Sequence, residues 1–361
     1  MKRFILFSVV VLSFSAGVQA QRIEVVDTDG KAVPYAKIYD GNAECIGMTG
    51  LNGVLADAKG VGEITVTHVA FKSKEVKLSG QDIRVTLEDA DFELGEITVS
   101  PKPLVYVQTY YRMFMYDDED GIIFYRAGLI DNYYDKDDKK LKSSEEHISK
   151  GLFGAVTKTL NIMFGPVLKA QSRIRMGRIE ESLLKSGKDI QLKITPTAPD
   201  RKNVSDYKGL VGTITDDQNA GQRRFAIDAA LMKLHHFEAN GDTKAVEKRE
   251  KRNSRKQDKE KTNFIIYNID SDGNYAPEDF VMKENSHTYD TEEKGKKVHT
   301  IIGMQVFSTD RAYVTKDELK QRRKANKIKM TYQNIQQFER QHNIPLLAPV
   351  VQAKLDKLWA K

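Results

Sequence analysis

The residues best suited to catalysis or metal binding are seven histidines and one cysteine. Zinc hydrolases hold two or three histidines or carboxylates at fixed spacing, commonly on one helix face. The sequence has no H-E-x-x-H motif, and His235-His236 is the only histidine cluster. Because adjacent side chains diverge on a helix or a strand, we expect a surface pair there rather than a metal site. The histidines are His68, His147, His235, His236, His287, His299 and His342.

Residues 270–274 read Asp-Ser-Asp-Gly-Asn and so alternate oxygen ligands as a calcium loop does. However, Tyr275 holds the sixth position, where such a loop has glycine, and Val281 stands where the bidentate glutamate would be. We therefore predict a hairpin turn. The chain also lacks a G-x-S-x-G elbow and a G-x-x-x-x-G-K-[ST] phosphate loop. The sequence nominates no catalytic residue, no cofactor, no cofactor-binding residue and no metal ligand.

Residues 1–20 have the pattern of a secretory signal. Lys2 and Arg3 precede an apolar run over residues 4–12, and small residues end at Ala20, so cleavage is expected before Gln21. No later apolar run is long enough to span a bilayer, so no transmembrane segment is expected in the mature chain. We expect an exported protein in the periplasm or at the periphery of the outer membrane. Because Cys45 is the only cysteine, an intramolecular disulfide is excluded, and we expect a small buried residue there.

The charge distribution argues against nucleic-acid binding. The formal net charge is +6, and loss of Lys2 and Arg3 from the 57 basic residues leaves 55 against 51 acidic ones. Residues 242–262 alone carry this whole excess, so the rest of the chain is balanced. That segment has charges of both signs and few apolar residues, which predicts a solvated helix or an exposed hairpin tip.

Residues 21–100 contain short β-rich runs separated by Gly-rich turns. Alternation is clear at residues 64–69 and 83–87, and Asn52-Gly53 is a strong hairpin signal. About seven such runs, with turns every eight to twelve residues, predict a seven-stranded β-sandwich. The last run covers residues 95–99.

Small and apolar residues follow a fixed order in this module. They are Val26, Gly30, Val33, Pro34, Ala36, Gly47, Thr49, Gly53, Ile64, Val66, Val69, Phe71, Val85, Leu87, Leu94, Glu96, Ile97 and Val99. This order resembles that of the carboxypeptidase regulatory-like domain, a transthyretin-like β-sandwich that also precedes the plug of starch-utilisation-type TonB-dependent transporters. The resemblance covers about 80 of the 361 residues, departs from the family at Gly50 and Ala70, and implies a rigid, non-catalytic spacer or docking domain.

A second domain is predicted over residues 101–361, because Pro101 and Pro103 exclude helix and ladder and mark a stiff linker. Residues 106–116 and 122–134 read as two long strands joined by an acidic turn. Alternating runs over residues 190–232 and 263–314 predict a large antiparallel sheet. Thr315-x-x-Glu318 is a capping box that opens a helix with Leu319, Ile328, Ile335 and Phe338 inward, and residues 343–345 end it before a last short helix. The C-terminal helices occupy residues 316–361, and the fold class is mainly β (α+β overall).

Residues 152–167 predict one strongly apolar helix, since their apolar side chains recur every three or four positions. Core packing is one interpretation, and an apolar face on a membrane or under a lid is another. The residues are Leu152, Phe153, Val156, Leu160, Met163, Phe164 and Val167.

Three functions remain open from the sequence. The first is a non-enzymatic envelope protein that docks onto, or helps to assemble, an envelope or outer-membrane complex. The second is a periplasmic carrier of lipid or lipoprotein, in which a curved sheet wraps the apolar helix around a pocket. The third is an enzyme of unrecognised type, whose catalytic residues would converge from distant segments.

Overall fold

The computed structural model describes residues 21–42, 44–58, 62–92, 100–117, 121–151, 165–166, 168–244, 256–293, 296–325 and 331–360. For residues 57, 256–260, 291–293, 296–297 and 350 it describes the backbone alone. The predicted signal, the run at residues 95–99 and the apolar helix, from residue 152 to 164 and at 167, lie outside these residues. Among the described helices, none is long and apolar enough to cross a membrane.

The chain divides into two compact units. The first comprises Met1–Thr67 and Ser73–Glu88, and the second comprises His68–Lys72 and Asp89–Lys361. The molecule is mainly β, with antiparallel sheets and a few helices, so the predicted fold class is confirmed.

Seven described strands form two sheets in the N-terminal part of the chain. The three-stranded sheet has the order β4-β1-β7, with β1 and β7 parallel, and the four-stranded sheet has the order β3-β2-β5-β6. Alternate side chains point inward, as at Ile23 and Val25 of β1. The strands are β1 (Gln21–Val26), β2 (Lys37–Asp40), β3 (Cys45–Met48), β4 (Val54–Ala58), β5 (Gly62–His68), β6 (Phe71–Leu78) and β7 (Ile83–Thr86).

The Asn52-Gly53 signal gives a turn but not a hairpin. Gly53 has φ +73°, and a Cβ there would lie 2.6 Å from Val25 O, so only glycine fits. The strands on either side belong to different sheets, since β3 pairs with β2 and β4 pairs with β1. The prediction that these two strands pair as a hairpin is therefore wrong. The buried hydroxyl of Thr49 accepts a hydrogen bond from Ala36 N and donates one to Val33 O. These two bonds fix the position of the chain before the turn.

The second unit contains one ten-stranded sheet in which every neighbouring pair is antiparallel. Its order is β10-β9-β8-β17-β16-β15-β14-β13-β12-β11. Thus β8 to β10 form one meander, and the chain then crosses to the far edge and returns through seven strands to pair β17 with β8. The strands are β8 (Leu104–Asp117), β9 (Gly121–Asp135), β10 (Lys142–Gly151), β11 (Lys193–Ala198), β12 (Arg201–Asp206), β13 (Gly209–Asp217), β14 (Gln222–Asp228), β15 (Lys256–Asn268), β16 (Phe280–Glu293) and β17 (Lys296–Val314).

The sequence pattern located most of these strands. β8 and β9 pair over their whole length, which confirms the two long strands and the turn predicted from the aromatic block. The large antiparallel sheet is likewise confirmed. The charged segment differs from the prediction at its C-terminal end, because residues 256–262 begin β15, where they pair with β16. Residues 245–255 of that segment lie outside the described part of the chain.

Five α-helices described over their whole length accompany the sheet. α1 and α2 lie in connections between strands, and α3 to α5 follow β17 at the C-terminus, as predicted. A short 3-10 helix, Pro277–Asp279, precedes β16. The helices are α1 (Ile179–Ser186), α2 (Ala229–Ala239), α3 (Lys316–Ala325), α4 (Tyr332–Gln341) and α5 (Pro349–Ala360).

The capping box at Thr315 is confirmed, but the single long helix predicted from it is wrong. Thr315 N donates to Glu318 Oε2 at 2.7 Å, and Glu318 N donates to Thr315 Oγ1 at 3.3 Å. α3 ends at Ala325, and Thr331 then has extended backbone angles, φ −128° and ψ 162°. Its hydroxyl accepts from Asn334 N at 3.2 Å and so starts a separate helix. Ile328 lies outside the described residues.

Loss of the Thr331 cap should weaken the C-terminal helices. Thr331→Ala should lower the free energy of unfolding by about 1 kcal/mol, because the hydrogen bond from Asn334 N to the Thr331 hydroxyl is then lost. The measurement is urea unfolding followed by the fluorescence of Trp359, the only tryptophan, which stacks on Tyr332 with ring centroids 4.8 Å apart. Thr331→Ser retains the acceptor and should unfold like the parent; equal losses in both variants would contradict the capping role.

The two faces of the ten-stranded sheet pack against different parts of the chain. Along β8, Arg112 bonds to Glu339 of α4, whereas its neighbour Met113 joins the other face. We call the face that carries Arg112 the helix face and the face that carries Met113 the cavity face. The cavity face holds the larger apolar core, which includes Val107, Phe225 and Val306.

Candidate ligand-binding site

The adjacent histidines of α2 do not converge on a metal. His235 Nδ1 bonds to Asp206, while His236 Nδ1 lies 2.6 Å from Asp189 Oδ2. The two rings diverge as predicted, but His235 is 5% exposed, so the expectation of a surface pair is wrong for that residue. The reason is that Asp206 of β12, itself buried, supplies a partner for its ring. Within the described part of the chain no group of three potential metal ligands occurs.

The acidic stretch at residues 270–274 is a turn between β15 and β16. Asp270 Oδ1 accepts from Asn274 N at 2.7 Å and from Asp272 N at 2.9 Å, and these bonds lower the pKa of Asp270. Gly273 has φ +74°. The predicted hairpin turn is confirmed, because the carboxylate that could have bound calcium caps the backbone of its own loop.

Cys45 is partly buried in β3, and its Sγ lies 3.4 Å from Gly47 O. In the second unit His299 bonds to Asp290 at 2.6 Å, and His147 lies 3.5 Å from Glu145. These histidines sit on separate pairs of strands, each beside its own carboxylate. The described histidines therefore form no common centre.

A cavity of about 450 Å³ opens on the cavity face of the sheet. Its floor comes from alternate positions of β15, β16 and β17 and from Met113 of β8, and the segment from residue 168 to α1 forms its opposite wall. Its size falls in the range of roughly 300–1,000 Å³ that small-molecule sites occupy. The apolar side chains of the lining are Met113, Leu168, Ile179, Ile265, Tyr267, Phe280, Ile302 and Met304.

Specific contacts hold this wall against the sheet. Residues 168–172 are helical, and Thr109 of β8 donates to Ser172 O at 3.2 Å. The first amide of α1, Ile179 N, donates to Tyr275 Oη at 2.8 Å. Next to it, Glu180 Oε1 accepts a hydrogen bond of 3.0 Å from Arg223 Nη1 of β14. The wall is thus fixed at both ends, which positions the intervening residues over the cavity.

Four cationic side chains line the cavity, and none of its described lining residues is acidic. We call Arg173, Arg175, Lys261 and Lys283 the cationic cluster. Arg173 and Arg175 precede α1, Lys261 lies on β15 and Lys283 on β16. Asn263, Asn285 and His287 add polar groups on the same strands. The arrangement combines an apolar floor with a positively charged, polar rim.

Lys283 has an unusual environment for a lysine. Its Nζ donates to Arg173 O at 3.4 Å, the long end of the hydrogen-bond range. Burial, together with the charge of Arg175, lowers the pKa of Lys283 from its ordinary 10.5 to about 8. No carboxylate of the described chain forms an ion pair with it. At neutral pH the side chain is therefore a poorly compensated cation in the cavity wall.

Arg173 and Arg175 also retain hydrogen-bonding capacity. Arg173 Nε is buried and has no hydrogen-bond partner among the described residues. Arg175 Nη2 bonds to the hydroxyl of Ser182. Since a guanidinium has five N–H donors, both arginines keep donors for a bound group.

A second cavity, of about 590 Å³, lies on the same face, and the segment before α1 contributes to its lining as well. Its carboxylate, Glu278, already accepts from Tyr134 and, at 3.0 Å, from Tyr313. Burial and the Glu278 carboxylate raise the pKa of Tyr313 to about 12. Because its polar groups bond to one another, this cavity makes a weaker case for a ligand site than the first one.

No family model matches this chain, and no curated protein matches it significantly.

The sequence did not indicate the cavity residues. Arg173 and Lys283 are 110 positions apart, and a single charged residue in an alternating strand is ordinarily a solvated position. One signal was present, since Lys261, Asn263 and Ile265 share one face of β15, as Lys283, Asn285 and His287 share one face of β16. Polar residues at successive inward positions distinguish a ligand surface from a closed core.

Proposed function

We propose that this chain is a non-enzymatic, exported protein of the cell envelope that binds and carries a partly apolar ligand on the cavity face of its ten-stranded sheet. The observation that supports this most directly is the cavity of about 450 Å³, with its apolar floor and polar rim. Export is supported by the signal-like pattern of residues 1–20. A carrier requires a site that holds its ligand without reacting with it, and a lining of amides, cations and apolar groups suits that role.

The N-terminal strands support an accessory role. Their resemblance to the carboxypeptidase regulatory-like domain favours a rigid mount through which the protein docks onto an envelope or outer-membrane complex. Co-purification of the mature chain with a membrane complex is the expected result. Recovery of the intact chain only as a free monomer would count against docking and would leave ligand binding untouched.

Filling the cavity should weaken ligand binding. Ile265→Trp and Ile302→Trp each place a large ring in the cavity, so the affinity for the neutral fluorophore phenylnaphthylamine should fall at least about tenfold, as expected when about 1.4 kcal/mol or more of apolar contact is lost. The parent should bind one fluorophore per chain. Fluorescence titration of the mature chain gives both the affinity and the number of fluorophores bound per chain.

Leu210→Trp is the matched control, because Leu210 is exposed on β13 and does not line the cavity. It should bind the fluorophore like the parent. Circular dichroism of all three variants shows whether they are folded. A parent that binds no fluorophore, or two folded cavity variants that bind it like the parent, would refute the proposed site.

A further inference from the structure

The cationic cluster indicates which ligands the cavity can accept. Like charges that share a site repel one another unless a counter-charge lies among them. The described lining supplies none, although the chain has 51 acidic residues elsewhere. A neutral ligand would leave this repulsion in place, whereas an anion would relieve it.

Lys283 makes the argument specific. A partly buried ammonium whose one hydrogen bond to the described residues is long destabilises the fold, and a methionine of similar length would avoid that cost. A poorly compensated cation in a cavity wall is therefore explained if a bound group supplies the missing charge. The Nε of Arg173, which finds no acceptor in the described part of the chain, adds a second donor with the same requirement.

The apolar floor excludes a small hydrophilic anion as the preferred ligand. Met113, Ile265 and Met304 are among the side chains that line the cavity below the cations, and a solvated ion would leave them in contact with water. An acyl chain would cover them. Charge complementarity and an apolar floor in one cavity together require an amphipathic ligand.

We infer that the cavity binds an anionic amphiphile, whose carboxylate or phosphate headgroup is held by Lys283, Arg173 and Arg175 and whose acyl chain lies on the apolar floor. This inference rests on the proposed function, because it names the ligand class of the same cavity. Oxyanions suit these donors, since charge-assisted hydrogen bonds from lysine and arginine are stronger than those between neutral groups.

Calorimetric titration of the mature chain with three probes below their aggregation concentrations tests the inference. Dodecanoate carries both chain and charge, dodecanol carries the chain alone, and acetate carries the charge alone. Dodecanoate should bind at least about tenfold more tightly than dodecanol, because a hydrogen bond to a charged group contributes about that factor. It should also bind at least about tenfold more tightly than acetate, because its acyl chain covers the apolar floor. Equal affinity for dodecanol, or for acetate, would overturn the inference.

Variants of Lys283 connect the binding to the cationic cluster. Lys283→Met should reduce the affinity for dodecanoate about tenfold and leave that for dodecanol unchanged, while Lys283→Arg should retain dodecanoate binding. Lys193→Met, at an exposed position of β11 outside the cavity, should behave like the parent. Undiminished dodecanoate binding by a folded Lys283→Met chain would refute the role of Lys283.

Binding of dodecanol without preference for dodecanoate would refute the ligand class alone, whereas binding of no probe would refute the proposed function as well.

The pH dependence gives an independent measurement. The other charged or titratable groups that line the cavity with Lys283 are Arg173, Arg175, Lys261, Tyr267 and His287. Burial raises the pKa of Tyr267 above its ordinary value of 10. Because the pKa of Lys283 in the folded chain is about 8 and its ordinary value is 10.5, the folded chain binds fewer protons than the unfolded chain between those values. Lys283→Met should therefore raise the unfolding midpoint at pH 7, and this gain should shrink as the pH rises from 8 to 10.5.

Binding should follow the same ionisation. Dodecanoate affinity should decline above pH 8 in the parent, as Lys283 loses its proton, and should decline less in Lys283→Arg. A dodecanoate affinity that is independent of pH between 7 and 10 in the parent would contradict the role of Lys283.

Discussion

Glu339→Ala should lower the free energy of unfolding of the larger unit by about 3–5 kcal/mol, because it leaves a buried cation unpaired. Arg112 Nη1 lies 2.9 Å from Glu339 Oε1, and the two side chains are 1% and 8% exposed. The same oxygen accepts from Tyr110 at 2.7 Å, and Arg112 Nε donates to Gln305 Oε1 at 2.7 Å. Urea unfolding measures this loss of stability. It is followed by the fluorescence of Trp359, which lies in α5 and so reports on the C-terminal helices that cover the sheet.

An exposed ion pair provides the control for Glu339. Glu238 of α2 pairs with Lys208, and their side chains are 29% and 42% exposed. Glu238→Ala should cost no more than about 1 kcal/mol, because water screens the pair. Replacing Arg112 and Glu339 together by methionine and leucine should cost less than the sum of the single changes, since no charge is then left buried. Similar losses for Glu339→Ala and Glu238→Ala would show that the buried pair is not a main anchor of the helices.

Gly128→Ala should destabilise the larger unit by about 3 kcal/mol, because the backbone of the neighbouring strand fills the space that a Cβ needs. An added Cβ would lie 2.3 Å from Glu146 O and 2.9 Å from His147 Cα of β10. To accommodate it, β10 must move away from β9, which also strains the bond between Arg126 Nη2 and Glu145 Oε1, 2.6 Å long. Hydrogen exchange of the β10 amides, measured beside urea unfolding, should show the local loss.

Gly165→Ala is the matched change without a backbone clash. Among the described residues, a Cβ at Gly165 meets only Arg126 Nη1, at 3.5 Å, which is ordinary contact. This variant should unfold within about 1 kcal/mol of the parent, because alanine also reduces the entropy of the unfolded chain. If Gly128→Ala costs less than about 1 kcal/mol, then β9 and β10 are not as closely packed as the structure has them.

Local patterns were reliable wherever neighbouring residues decide the outcome. Alternation located β15 and β17, because a strand with one buried face must repeat every two residues. The aromatic block located β8 and β9. The capping box at Thr315 was also correct, since both of its bonds form within one turn. The helical break at Thr331 was missed, because apolar spacing continued across it and hid the second cap.

The sequence by itself determined the mainly β class, the run of short strands in the N-terminal part, the long strand pair and the C-terminal helices. These depend on periodicity, glycine and capping residues, whose effects extend over a few positions. Only the tertiary structure decided that Arg173 meets Lys283 and that Arg112 meets Glu339, because the pairing order of ten strands brings together residues that are 110 and 227 positions apart. The candidate site belongs to this second class, since its charges and its floor come from separate segments that become neighbours only when the sheet has formed.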